Sequence, residues 1–188
     1  MKSSRHNKIA GDFGEMIVLY YLSRYGFECA RIDHTGIDLL ARSPKESRPR
    51  GITVKTASRI EARKDKPSRQ PLSLMDEATR ACIPFNAEPY VAIVFDGIER
   101  ICILLQSVEE LRREHAGGES LAFWFREADR ARYSHPDFTG SFIELSVSLG
   151  SWKKVPNKAL RQRRGALSVG REVAGPRKSS ARRGWAYR

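Results

Sequence analysis

The sequence predicts a mixed α/β domain: a helix-forming apolar segment precedes a meander of short β-branched segments, and two longer apolar runs then flank a turn and lead into a capped helix. Beyond residue 150 the periodicity stops. With 188 residues, 40% of them hydrophobic, the chain can bury one core of ordinary size and still carry a tail.

Residues 8–24 place apolar side chains almost all round a helix, so a largely buried helix is expected, ended by Gly26 as a C-terminal glycine cap. Residues 27–33 and 37–41 form two strands around the tight turn His34, Thr35 and Gly36. A polar connection, 44–50, leads to a third strand over 51–57, where β-branched residues alternate. Residues 59–70 are charged and proline-punctuated, which predicts a loop or a frayed extension, and 74–82 a short helix before Pro84. The runs 90–95 and 100–105 flank a turn of Asp96, Gly97, Ile98 and Glu99 and are central strands by their β-branched content. Ser107 followed three residues later by Glu110 has capping-box spacing, so a helix runs to about His115, and Gly117 and Gly118 stop it. Residues 121–132 fit strand or helix equally, and 142–149 a last strand.

The longest apolar runs are far shorter than the ~20 residues of a membrane-spanning helix. With no apolar stretch of signal-peptide length after the N-terminal charges, a cytoplasmic address is the expectation. Cys29, Cys82 and Cys102 are widely spaced and set among apolar residues, which predicts core thiols and not a disulfide framework or zinc cluster.

Charge is unevenly distributed. Of the formal +12, residues 151–188 hold twelve cations against one acid, Glu172, and the rest of the chain is nearly balanced. That composition cannot bury enough to order itself, so the expected division is a folded domain over 1–150 and a disordered basic tail over 151–188. Lys153, Lys154, Lys158, Arg161, Arg163 and Arg164 would displace counterions from phosphates, while Trp152, Trp185 and Tyr187 could stack on unpaired bases. Nucleic acid is the expected partner. A solvated tail that binds nothing specific is the alternative, and no amphipathic face accompanies the charge to favour a membrane surface. Arg59, Arg63, Lys64, Lys66 and Arg69 would extend the basic footprint beside Lys55.

Three positions stand out within the domain. Glu15 shares a helical stripe with Gly11, Val18, Leu19 and Leu22, and burying its carboxylate there demands a cation or hydrogen-bond donors; otherwise it is a rim residue reaching water. Asp12 falls on a different helix face by the same reading. Asp38 interrupts an apolar strand and so wants a partner, or else it is a strand-end acid that closes a turn. Thr53 and Lys55 project from one face of the third strand, with Ile52, Val54 and Thr56 on the other, and Lys55 either snorkels at an edge or meets phosphate. His34 is expected to be exposed in the turn. Two carboxylates and an ammonium could together hold Mg²⁺, lower the pKa of a bound water and steady phosphorane charge.

GDFGE ending in Glu15, GIDLLA containing Asp38 and ITVKT containing Lys55 resemble, in order, the motifs of the PD-(D/E)XK nuclease superfamily, within it the Holliday-junction-resolvase-like and group I intron homing-endonuclease-like branches. The resemblance covers residues 9–57. It implies a restriction-endonuclease-like mixed central sheet flanked by helices and divalent-metal-dependent hydrolysis of DNA phosphodiesters. Glu15 and Asp38 would hold Mg²⁺ or Mn²⁺ with the carbonyl of Val54, and Lys55 would be the catalytic lysine. A homodimer is plausible on the same ground. The family's second acid falls on Thr53, a poor Mg²⁺ ligand, so the resemblance also admits a non-catalytic nucleic-acid-binding protein on the same fold. An interaction protein using its basic tail is a third reading.

Overall fold

The computed structural model of the chain describes residues 4–58, 67–97, 100–125 and 127–147. The first element is helix α1, Ser4–Arg24. Its end is a Schellman motif: Gly26 adopts φ 85°, its N–H reaches the Ser23 carbonyl at 3.0 Å, and the Phe27 N–H reaches the Leu22 carbonyl at 3.0 Å. The left-handed conformation explains the glycine.

Strands β1 (Glu28–His34), β2 (Ile37–Arg42) and β3 (Arg50–Ser58) form an antiparallel meander. Next come a short strand β4 (Ser68–Gln70), helix α2 (Ser73–Cys82) and a 3₁₀ turn over Ile83–Phe85. Strand β5 (Glu88–Asp96) runs parallel to β3, and β6 (Arg100–Ser107) returns antiparallel to it. The remaining elements are α3 (Val108–Glu114), β7 (Leu121–Phe123), α4 (Glu127–Tyr133) and β8 (Ser141–Ser146). The six-stranded sheet has the order β1-β2-β3-β5-β6-β8, and β4 pairs with β7 in a small second ladder. This is the mixed central sheet flanked by helices that the sequence predicts. The expected cap of α3 is also present: Ser107 Oγ accepts from the Glu110 N–H at 3.2 Å and Glu110 Oε2 from the Ser107 N–H at 3.0 Å.

The core lies on both faces of the sheet. Val18 and Leu22 of α1 pack on Leu39, Ile52, Val54, Ala92 and Ile103. On the opposite face Leu74 and Ala78 of α2 and Leu111 of α3 pack on Val91, Ile93 and Leu104. Cys82 and Cys102 are buried thiols. Among the described residues no helix is long and apolar enough to cross a membrane.

Three expectations need correction. Helix α1 is not largely buried: Ile9, Phe13, Met16 and Tyr20 are 65%, 38%, 51% and 55% exposed, because a helix lying on a sheet buries only one side. Residues 68–70, expected in a loop, form β4, since backbone pairing with β7 needs no apolar pattern. Residues 121–132, where one element type was expected, hold both a strand and a helix. Arg59, Arg63, Lys64 and Lys66, and the tail with Lys153, Lys154, Lys158, Arg161, Arg163 and Arg164, lie outside the described residues.

Candidate functional site where the β2 and β3 pairing stops

The β2–β3 ladder runs from Ala41 opposite Arg50 to Leu39 opposite Ile52. Beyond that pair, side chain to backbone bonds replace it. Asp38 Oδ2 accepts the Val54 N–H at 2.6 Å, and the Thr53 hydroxyl donates to the Gly36 carbonyl. Asp38 therefore has the partner its place in an apolar strand demands, and that partner is a backbone donor; the Val54 group that meets it is the N–H.

Gly36 fixes the hairpin tip from the other side. Its φ is 97°, and a Cβ there would come 2.8 Å from the Ala81 Cβ and 3.1 Å from the Glu77 carbonyl oxygen, so only glycine lets the tip rest on α2. His34, beside it, is exposed, with its ring edge-on to Phe85 at 5.2 Å.

Thr53 and Lys55 alternate with Ile52 and Val54, which are in the core against α1. Both thus face away from α1. Thr53 is 3% exposed, with its hydroxyl committed to Gly36. Lys55 is half-buried beside Ile93 of β5, and among the described residues its ammonium enters no hydrogen bond or ion pair.

Glu15 belongs to a different set of contacts. Arg31 of β1 donates from Nε to Glu15 Oε2 at 2.6 Å and from Nη2 to Asp12 Oδ1 at 2.8 Å. The Glu15 side chain is 19% exposed, so its charge is met by the guanidinium as burial requires. These bonds, to Asp12 first and Glu15 next, raise the Arg31 pKa further above its ordinary value. Asp12, expected on another helix face, shares this one because residues three apart are helical neighbours. Arg31 was not singled out from the sequence. Its signals were a cation inside a β segment and the Asp12–Glu15 spacing. Immediately before Glu15, Gly14 brings α1 so close to β3 that a Cβ would overlap the Thr56 hydroxyl, itself buried without a hydrogen-bond partner among the described residues.

Where the β2–β3 pairing stops, then, the fold gathers Asp38, Thr53, the Val54 amide and Lys55, while Glu15 is bonded to Arg31, which also holds Asp12. Among the described residues no group of three or more His, Cys, Asp and Glu side chains could hold a metal ion. The donors present do not fit a preformed Mg²⁺ site. One oxygen of Asp38 holds an amide, Thr53 is neutral and engaged, and Glu15 is paired with a cation. What the arrangement offers is a lysine without an ion pair among the described residues, next along β3 to the amide that anchors Asp38, and an ammonium suits contact with a phosphodiester. An apolar cleft of about 450 Å³ lined by Tyr21, Tyr25, Phe27, Arg50 and Phe142 lies toward the other end of β3 and is separate from this site.

No protein-family model matches the chain, and no curated relative matches it. Among solved structures the chain is similar to Hjc, a Holliday junction resolvase of the archaeal hyperthermophile Archaeoglobus fulgidus. The identity is 20%, the match covers 63% of this chain and 84% of that one, and the TM-score is 0.44.

Proposed function

We propose that this chain is a nucleic-acid-binding protein in which the β2–β3 end, through Lys55, contacts the phosphodiester backbone and the basic tail supplies most of the electrostatic grip. One observation carries this reading: the half-buried Lys55, one residue along β3 from the amide that anchors Asp38, has no counter-ion among the described residues. DNA is the polyanion the sequence resemblance favours.

The test is fluorescence anisotropy with labelled linear duplex, four-way junction and single-stranded RNA across a salt series. The wild type should bind the DNA forms with a steep salt dependence. Replacing Lys153, Lys154, Lys158, Arg161, Arg163 and Arg164 with Gln should flatten that slope by several units, since each phosphate contact contributes about one. Absence of binding to any polyanion at low salt would end this proposal.

A second reading, a Mg²⁺- or Mn²⁺-dependent endonuclease acting as a cytoplasmic homodimer, is favoured by the juxtaposition of Asp38 with the Val54–Lys55 segment. It requires Asp38, with Glu15 freed from Arg31, to take the ion. Nicking of supercoiled DNA in Mn²⁺ that is lost in Asp38→Asn would establish it. Binding without nicking leaves the first reading standing.

A further inference from the structure

Helix α1 has two apolar faces, and the fold uses one. Val18 and Leu22 are buried against the sheet, whereas Ile9, Phe13, Met16 and Tyr20, spaced four, three and four, form a continuous stripe on the opposite side. Arg5 stands four residues before Ile9 and Arg24 four residues after Tyr20, which puts exposed cations at both ends of that stripe. From Arg5 to Arg24 it spans about 28 Å at 1.5 Å per residue. Neither cation makes an ion pair among the described residues. The helix-adjacent acids Asp12 and Glu15 are taken by Arg31 and do not neutralise the ends.

We infer that this face of α1 docks an amphipathic helix of another protein, about five turns long, whose apolar side meets Phe13 and Met16 and whose acidic residues meet Arg5 and Arg24. A helix laid along an apolar groove or stripe reads such spacing directly, and the cationic ends set the charge its partner must carry. A second copy of this chain is the wrong occupant. Packed antiparallel, two α1 helices bring Arg5 of one against Arg24 of the other, and packed parallel they set each arginine against its twin.

The probe is a synthetic 20-residue helical peptide with a Leu stripe at the same spacing and Glu at both ends, measured by anisotropy against the full chain. Because the basic tail attracts any acidic peptide, the variants carry the decision. Phe13→Ser with Met16→Ser should weaken binding at least tenfold while leaving DNA affinity unchanged and the chain folded, with a modest fall in the unfolding midpoint because Phe13 is only 38% exposed. Arg5→Glu with Arg24→Glu should lose the Glu-ended peptide and gain a Lys-ended one. Equal binding by wild type and the serine variant would overturn the inference. So would sedimentation showing a dimer that the serine variant abolishes, or flotation with phosphatidylglycerol vesicles that depends on Phe13.

Discussion

Replacing Thr53 by valine keeps the shape of the side chain and removes only the hydroxyl that donates to the Gly36 carbonyl. The site is 3% exposed, so water cannot take over the lost bond, and the carbonyl at the hairpin tip is left with one donor fewer. Removing one partner of a buried hydrogen bond costs about 1–3 kcal/mol, of which the extra methyl returns a part, leaving a net loss of about 1–2 kcal/mol. For a folded region of this size that lowers the thermal midpoint by about 2–8 °C. Thr53→Ser, which keeps the hydroxyl, should lose about 1 kcal/mol or less from the missing methyl. Circular dichroism melts of the three proteins at one concentration make the comparison. A valine variant as stable as the wild type would refute the structural role given to the hydroxyl. Thr53 would then be able to turn toward an ion, and the endonuclease reading would gain what the described geometry withholds from it.

Gly36→Ala should cost about 2 kcal/mol or more, since φ 97° is unfavourable for alanine and its Cβ would press on Ala81 and the Glu77 carbonyl; urea unfolding measures it, and an unchanged midpoint contradicts the packing of the tip on α2. Lys55→Met should weaken DNA binding similarly for all sequences and reduce the salt slope by about one, with the melt unchanged; a sequence-dependent loss would point to base contact instead. Burial pushes the Cys82 thiol from its ordinary 9.0 up to about 11, against a smaller lowering effect of the Arg48 charge. The folded state therefore disfavours the thiolate. Its contribution to stability is complete below pH 9.0 and is lost as pH rises toward about 11, which Cys82→Ala should abolish in a pH series of urea midpoints.

Local signals in the chain specified much of this fold. The glycine stop at Gly26, the capping box at Ser107 and the β-branched runs of β3, β5 and β6 each depend on residues within a few positions of one another, and each appears where such signals place it. The exposed stripe of α1 was not legible, because whether an apolar helix face is covered depends on how many layers the fold stacks over it. The β4–β7 ladder was hidden for a related reason: it is held by backbone bonds across fifty residues of sequence, with little apolar pattern to announce it. At the candidate site, alternation along β3 predicts that Thr53 and Lys55 share a face, and helical geometry places Glu15 on an apolar stripe where burial calls for a cation or hydrogen-bond donors.

What the spacing of residues could not supply is which groups are already engaged. Asp38 might have met an ion, a water or a lysine; it meets the Val54 amide because β2 and β3 stop pairing at Leu39 and Ile52 and leave that N–H unclaimed by the ladder. Glu15 could have reached water or met any donor; it meets Arg31, which arrives on β1, a strand whose register no motif records. A ligand must be deprotonated, unpaired and aimed, and a motif certifies only its identity. Metal-dependent cleavage here would require breaking the Glu15–Arg31 bond as well as filling the place of a missing acid, and the enthalpy of each existing contact opposes that. Phosphate binding by Lys55 requires breaking nothing among the described contacts, which is the physical reason to rank binding ahead of catalysis.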